Sequence, residues 1–251
     1  MDEAILVRRD DHVAWVTFNR PERRNALDPA SRTLLGEVFA ELGGDAQIRV
    51  AVLTGAGSAF CAGTDLSAAG QTVPGTTQRL VSPVEDFPKP VIAAVNGPAA
   101  GGGFELALAA DLRVAHPSAR FLLPEVRIGS LPGSGGTQRI FSALPSAVAW
   151  KILLSGVPLT AEDALRYGLV SDVFPDEAFL DEVAVLAHRI AEGAPLSLRA
   201  AKRAGRAALD GGREAGYALE RSLWAQLAET EDRAEGRAAF REKRAPHFRG
   251  R

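Results

Sequence analysis

Residues 89–115 read KPVIAAVNGPAAGGGFELALAADLRVA, and the succession of textures in this stretch decides the fold. Val91 to Val95 is a short apolar run rich in β-branched residues, introduced by Pro88-Lys89-Pro90, and has the length of a buried strand. Three glycines, Gly101 to Gly103, then open a short helical run from Phe104 to Ala110, and Leu112 to Ala115 is strand-like again. Strand, tight helix and strand within so few residues point to an α/β fold. Upstream, Ile48 to Leu53 reads as another buried strand, running into Gly55-Ala56-Gly57. Ala4 to Arg8 and Val13 to Asn19 form a hairpin across Asp10-Asp11. Between them a helix starts at Asp28, a natural N-cap, with Pro29 at its first position and Leu34, Leu35, Val38, Phe39 and Leu42 on one face, and stops at Gly43-Gly44. Downstream come strand-like Arg120 to Leu123 and a capping box, Thr160 with Asp163, that opens a helix over 161–167 closed by Gly168. Strand-like Leu169 to Phe174 follows. From Asp176 onward the pattern is helical, with a break at Gly193-Ala194-Pro195. The expected organisation is a sheet-containing core over 1–195 and a helical region over 196–251.

Composition narrows the function. The chain has 251 residues, a formal charge of -2 and one cysteine, Cys61. It is long enough to bury a large core without disulfides or a structural metal, and one cysteine forms no intrachain disulfide. No run of eighteen apolar residues occurs, and Met1-Asp2-Glu3 lacks a basic, apolar leader, so a cytoplasmic, reducing setting is expected. A pI near 6.1 gives no general attraction to nucleic acid. Residues 199–251 carry 13 basic and 8 acidic residues, which by itself suits a solvated or subunit-facing helical surface. His12, His116, His188 and His247 are scattered without metal-ligand spacing. Gly55-x-Gly57 lacks the third glycine of a dinucleotide fingerprint, because position 60 is Phe, and no phosphate-binding loop or nucleophile elbow is present.

Two carboxylates interrupt apolar, glycine-dense sequence. Glu105 follows three glycines at the start of a helix otherwise made of Phe, Leu and Ala. Three glycines let a ligand approach the backbone closely, and a helix N-terminus offers free N–H groups that can hold an oxyanion. Glu125 stands after Phe121-Leu122-Leu123-Pro124 and ahead of the glycine-rich stretch Gly129 to Gly136. Two carboxylates beside such backbone suit acid/base chemistry at a carbon next to a carbonyl, one moving a proton while the other handles water. N-cap or salt-bridge duty would explain the same spacing. Ala59 to Leu66 forms a second glycine loop whose amides can supply another donor, with Asp65 orienting backbone and Cys61 a small neighbour of the donor, not a nucleophile.

The chain resembles the crotonase, or enoyl-CoA hydratase, superfamily. The likeness is carried by Asn19-Arg20-Pro21 with Asn25-Ala26-Leu27, by Ala59 to Leu66, by Lys89 to Gly97, by Gly101 to Ala107, by Pro124-Glu125, by Pro132 to Arg139, by Ala164 with Gly168-Leu169-Val170, and by Ala239-Phe240 with Glu242-Lys243-Arg244. The resemblance implies a spiral of ββα turns followed by C-terminal helices that build a homotrimer or a hexamer of paired trimers. It implies that the backbone amides of Thr64 and Gly102 hold a thioester oxygen, that Glu125 protonates the α-carbon, and that Glu105 holds and deprotonates water. It implies an acyl-CoA binding surface of Arg24, Ala26, Ala62, Thr64, Asp65, Leu66, Gly102 and Gly133, joined by Phe240 and Lys243 from a neighbouring tail. Coenzyme A enters only as part of the substrate, with no metal, further cofactor, nucleic acid or membrane partner. The position two after Asp65, often lysine in the hydratases, is Ser67, and the segment from Ser67 to Asp86, which shapes the acyl pocket in the family, is short and rich in Gly, Thr and Pro.

The implied activity is enoyl-CoA hydratase, a hydro-lyase that adds water reversibly and syn across a 2-enoyl-CoA to give the 3-hydroxyacyl-CoA. Open beside it are another reaction of this superfamily on an acyl-CoA (double-bond isomerisation, thioester hydrolysis, a ring-modifying lyase step) and a non-catalytic relative binding acyl-CoA or RNA. The acyl chain and the pathway are not legible.

Overall fold

The computed structural model describes residues 3–67 and 79–251. Most of the segment named above as a shaper of the acyl pocket, 68–78, lies outside the described residues. In chain order the elements are β1 (Ile5–Asp10), β2 (Val13–Phe18), α1 (Pro29–Gly44), β3 (Val50–Gly55), α2 (Ser82–Glu85), β4 (Val91–Val95), β5 (Pro98–Ala100), α3 (Gly102–Ala109), β6 (Leu112–Ala115) and β7 (Arg120–Leu122). There follow α4 (Gly136–Ala143), α5 (Ser146–Ser155), β8 (Leu159–Thr160), α6 (Ala161–Arg166), β9 (Asp172–Val173), α7 (Phe179–Ala191), α8 (Pro195–Asp210), α9 (Arg213–Ala228) and α10 (Glu231–Glu242).

Among the described residues the strands form a six-stranded sheet, ordered β1-β2-β3-β4-β6-β9, and a three-stranded sheet, β5-β7-β8. β1 pairs antiparallel with β2; every other pair in the large sheet is parallel, with Val16 opposite Leu53, Leu53 opposite Ala93 and Ala93 opposite Arg113. Every residue of β3 and β4 is buried. That is why both read as unbroken apolar runs: a parallel strand covered on two faces has no solvent side to alternate toward. Val13, Trp15, Val50, Val52, Ile92, Ala94 and Val114 face α7, whose Phe179, Val183, Ala187 and Ala191 fill that side. Ala14, Val16, Phe18, Ala51, Leu53, Ala93 and Val95 face the larger cluster, which holds Leu35, Phe39 and Leu42 of α1, the apolar residues of α3, and Ala99 and Phe121 of the small sheet.

The local expectations hold where a terminus carries its own signal. Asp28 caps α1 by accepting a 2.8 Å bond from the Ser31 N–H, and Thr160 caps α6 by accepting a 3.1 Å bond from the Asp163 N–H. Two boundaries move. β3 begins at Val50, not Ile48, because the Ile48 N–H turns back to the Asp45 carbonyl and pairing starts where Arg49 and Val50 both donate to the His12 carbonyl. The run over 169–174 pairs only at Asp172 and Val173, since Leu169 and Val170 donate to the Ala164 carbonyl and close α6 instead.

The C-terminal helices are tied to the sheet region by ions as well as by apolar contact. Lys202 and Arg206 of α8 meet Asp111 at 2.8 and 2.9 Å, and Arg206 also donates to the Glu85 and Ala109 carbonyls. Among the described residues no helix is long and apolar enough to cross a membrane. Replacing Asp28 by Ala should cost about 1 kcal/mol of unfolding free energy, the usual worth of an N-cap. The Ser31 amide holds the Asp28 carboxyl below its ordinary range, so the deficit should shrink as pH falls through that lowered value. Urea titrations at neutral and acidic pH measure both; an equal deficit at each would contradict the capping role.

Candidate active site

The site forms where the small sheet gives way to α3. Three segments lie side by side there. Leu27 bridges to Thr64 and Cys61 bridges to Ala99, both in parallel sense. Leu27 donates to the Gly63 carbonyl at 2.7 Å and Asp65 to the Leu27 carbonyl at 3.0 Å. Ala62 donates to Arg24 and Ala100 to Cys61, each at 2.9 Å, and Gly101 donates to Leu122 at 3.0 Å. The sequence-distant loops 24–27, 61–65 and 98–101 are thus one hydrogen-bonded layer.

Gly63 and Gly103 permit this approach. A Cβ on Gly63 would stand 2.7 Å from the Gly102 nitrogen and 2.8 Å from the Ala100 oxygen, and Gly63 has φ of +84°. A Cβ on Gly103 would overlap the Cys61 carbonyl oxygen at 2.0 Å. With backbones this close, the Thr64 nitrogen lies 3.8 Å from where a Cβ on Gly102 would sit. Among the described residues neither the Thr64 nor the Gly102 N–H has an acceptor. Gly102 is the first residue of α3, so its free amide adds the helix's positive end to the pair. Two free amides on adjoining backbones are the elements of an oxyanion hole.

The two glutamates flank this point under different restraint. Glu105, one turn into the wholly buried α3, has its Oε1 held by the Ser134 N–H at 2.7 Å and the Gly136 N–H at 2.8 Å. Gly136 opens α4, so the carboxylate sits on a helix N-terminus, where negative charge is favoured. The loop carrying these donors is held in turn by Arg139, which donates to the Ser134 carbonyl at 3.0 Å and pairs with Glu85. Glu125 begins a single helical turn, Glu125–Ile128. Its Oε1 lies 3.0 Å from the position of a Cβ on Gly101, and its Oε2 is buried without a hydrogen-bond partner among the described residues. Burial pushes the Glu125 carboxyl above the ordinary glutamate range, its backbone amide opposes this, and the Glu105 charge adds to the rise. One carboxylate is fixed by two backbone donors, while the other has a raised pKa and one oxygen without a partner among the described residues.

Of the other residues singled out, Arg24, Ala26, Ala62, Thr64 and Asp65 belong to the layered loops, and Leu66 is exposed beside them. Asp65 accepts from Ser67 and lies 3.3 Å from Arg20, so it organises backbone, and the Ser67 hydroxyl first among these contacts holds its carboxyl below the usual range. Cys61 is buried, and desolvation pushes its thiol up to about 12, which leaves it inert as a nucleophile. Gly133 is exposed; the amides that grip Glu105 belong to its neighbours Ser134 and Gly136. Phe240 and Lys243 lie in and just after α10. Phe240 lines a cavity with Trp224, Arg233 and Phe248, away from the loops of the site within this chain. Asn25 went unassigned in the sequence although it is buried. Its Oδ1 accepts from the Arg20 N–H and its Nδ2 donates to the Ala56 and Ala59 carbonyls, pinning the loop that leads to Cys61. A buried amide within Asn25-Ala26-Leu27 was the available signal.

The six-stranded sheet, the small sheet and the C-terminal helices are those of the crotonase fold. Comparison agrees over the whole chain. The family model for enoyl-CoA hydratase/isomerase matches residues 8–251, and the chain belongs to that family. It is 49% identical to (E)-benzylidenesuccinyl-CoA hydratase of Thauera aromatica over 98% of this chain and 99% of that one. It is 44% identical to 2,3-dehydroadipyl-CoA hydratase of Escherichia coli (strain K12), again over 98% and 99%. Among solved structures, enoyl-CoA hydratase from Bacillus anthracis superposes with a TM-score of 0.93 at 35% identity, over 99% of this chain and 100% of that one.

Two substitutions of glycine by alanine should act in opposite directions. Gly63→Ala should lower kcat by about 10²–10³-fold, the usual worth of an oxyanion donor, because the side chain drives the two loops apart. Gly205→Ala, in the exposed interior of α8 with open space around it, should stabilise by about 0.5–1 kcal/mol. Steady-state kinetics and thermal unfolding read both, and wild-type kcat in Gly63→Ala would contradict the close approach. Glu125→Gln should also gain stability over wild type as pH rises. A carboxyl whose folded-state pKa is raised loses stability as it ionises, and glutamine does not. Melting curves from acid to alkaline pH test this, and a gap that narrows with rising pH would overturn it.

Proposed function

We propose that this protein is an enoyl-CoA hydratase that adds water reversibly and syn across the double bond of a 2-enoyl-CoA thioester. The observation that carries the reading is the pairing of two unengaged backbone amides, Thr64 and Gly102, with two carboxylates held so differently, Glu105 and Glu125. Relatives named for hydration of benzylidenesuccinyl-CoA and 2,3-dehydroadipyl-CoA and for dehydration of carnitinyl-CoA support a hydro-lyase acting on CoA thioesters. Their acyl groups differ and the thioester is shared, as expected if the chemistry is bound at the carbonyl.

In this reading the thioester oxygen accepts from the Thr64 and Gly102 amides, which stabilise the negative charge it gains when a nucleophile attacks C3. Each such donor is worth about 2.7–4 kcal/mol of barrier. Glu105 accepts a proton from water as the water oxygen bonds to C3, and Glu125 gives its proton to C2. The added atoms are those of one water molecule, and the glutamates end with their protons exchanged and reset through solvent. Desolvation raises the Glu125 carboxyl above the ordinary glutamate range, in the direction a proton donor needs, and the Ser134 and Gly136 amides orient the Glu105 carboxylate toward its task. The pantetheine arm runs along Ala26, Ala62, Thr64, Asp65 and Leu66, Arg24 meets the CoA phosphates, and Gly133 borders the acyl side. The active unit is a homotrimer or a hexamer of paired trimers, in which Phe240 and Lys243 of one tail reach the CoA of a neighbouring site.

Adding the protein to short and medium 2-enoyl-CoAs should abolish the conjugated enoyl-thioester absorbance and yield 3-hydroxyacyl-CoA. Glu105→Gln and Glu125→Gln should each lower kcat by about 10²–10⁴-fold, the range for a lost general acid or base. Wild-type hydration should decline as pH rises through the elevated pKa of Glu125, since its acid form is then depleted. Persistence of the absorbance at every chain length together with turnover of a 3-enoyl isomer would replace hydration by isomerisation. Full rate in both variants would remove the assigned roles.

A further inference from the structure

Arg32 lies in α1, one turn after its N-cap, and its guanidinium donates from Nη2 to the Thr64 Oγ1. The Nε of the same group is buried and has no hydrogen-bond partner among the described residues. No Asp or Glu lies within ion-pair distance of Arg32 among those residues, and the undescribed stretch 68–78, AAGQTVPGTTQ, contains no acidic side chain. The nearby carboxylates are committed elsewhere: Asp28 and Asp65 pair with Arg20, and Glu85 pairs with Arg79 and Arg139. A guanidinium offers five N–H donors in a planar fork shaped for a carboxylate, and leaving one of them buried and unpaired is unfavourable. Such an arrangement persists where a partner arrives from outside.

Its location indicates which part of a substrate brings that partner. Thr64 supplies one amide of the oxyanion pair, so the guanidinium borders the residue that receives the thioester. One turn further along α1, a Cβ on Gly36 would meet Pro83 of α2 at 3.9 Å, so this side of α1 faces α2. Leu80, just before α2, has its Cδ2 2.6 Å from the position of a Cβ on Gly102. Arg32 therefore borders the amide pair from α1, whereas Arg20 is committed to Asp28 and Asp65.

From this we infer that Arg32 is a specificity residue that binds a carboxylate carried on the acyl group, so that the preferred substrates are mono-CoA thioesters of short dicarboxylic acids. The inference rests on the reading of Thr64 and Gly102 as the donors to the thioester oxygen. Thr64 has a double part in it: its N–H faces the thioester, and its hydroxyl holds the guanidinium that reads the acyl substituent.

The test uses matched pairs of saturated acyl-CoAs of four to six carbons, one of each pair ending in a carboxylate and the other unsubstituted, with free CoA as a third ligand. Calorimetry gives Kd for wild type, Arg32→Met and Arg32→Lys, and circular dichroism verifies folding. Wild type should prefer the carboxylated member at one or more chain lengths. Arg32→Met should reduce that preference about 30-fold, as for truncation of one partner of a buried charge pair, and Arg32→Lys should restore part of it, because a single ammonium keeps charge but not the fork. No preference in wild type at any length, or equal loss for both members, would overturn the inference. Weakened binding of free CoA in Arg32→Met would assign the guanidinium to CoA phosphates and overturn it likewise. Turnover of the corresponding 2-enoyl pair is measured separately. If neither is hydrated while the binding preference follows Arg32, the proposed hydration fails and the specificity assignment stands; if both are hydrated with no preference, the reverse holds.

Discussion

Everything in the site depends on one backbone contact, the approach of residues 61–64 to residues 100–103. It is closer than any side chain permits, since a single Cβ on Gly103 would sit 2.0 Å from the Cys61 carbonyl oxygen. Hydrophobic burial alone would not select such a geometry. It is enforced by the parallel layer of loops, in which Leu27, Gly63, Cys61 and Ala100 share hydrogen bonds, and by the packing of Phe60, Phe104 and Phe121 beneath it. Its consequence is that two amides with no acceptor among the described residues stand on adjoining backbones. A preorganised donor pair of this kind needs no reorganisation when charge develops before it, which is why it is worth more than the same donors in water.

The charges around the contact are arranged in graded order. Glu105 is gripped by amides at the N-terminus of a helix, and, among the described residues, Glu125 is desolvated with one oxygen unpartnered and Arg32 is a cation without an anion. Glu105 obeys the rule that buried polar groups are satisfied, whereas Glu125 Oε2 and Arg32 Nε depart from it among the described residues. Away from the site, Trp15 Nε1 on the α7 side of the sheet also lacks a partner among the described residues, while other buried polar groups are paired. Lys89, for example, gives its ammonium to the Leu42 and Asp45 carbonyls and closes the end of α1.

How much of this was legible in the sequence follows from the range of each interaction. Helix α1 could be bounded from Asp28 and Pro29, and α6 from Thr160 and Asp163, because caps act over three residues. Strands β3 and β4 could be recognised from apolar runs, because two-sided burial leaves no alternation. Glu105 and Glu125 stood out as carboxylates in glycine-rich, apolar surroundings. By contrast, β5 and β8 are too short to show a period, and β3 starts late because His12, from a distant hairpin, supplies the pairing carbonyl. The donors to Glu105 were not legible, since nothing in the glycine-rich stretch 129–136 shows that the Ser134 and Gly136 amides are the ones turned toward it. Arg32 was silent because a charged residue on the polar side of an amphipathic helix is ordinary; only its contact with Thr64 and the lack of an anion make it informative.

The most direct test of the central claim is the infrared spectrum of an enoyl-CoA bearing a carbon-13 thioester carbonyl, recorded free and bound to Glu105→Gln, where turnover is slow enough to hold the substrate. If the Thr64 and Gly102 amides both donate to that oxygen, the labelled carbonyl stretch should move to lower frequency on binding, and most of the shift should vanish when Gly63→Ala is added. A carbonyl band at the same frequency free and bound, with binding verified by calorimetry, would contradict the claim that the backbone contact exists to hold the thioester oxygen.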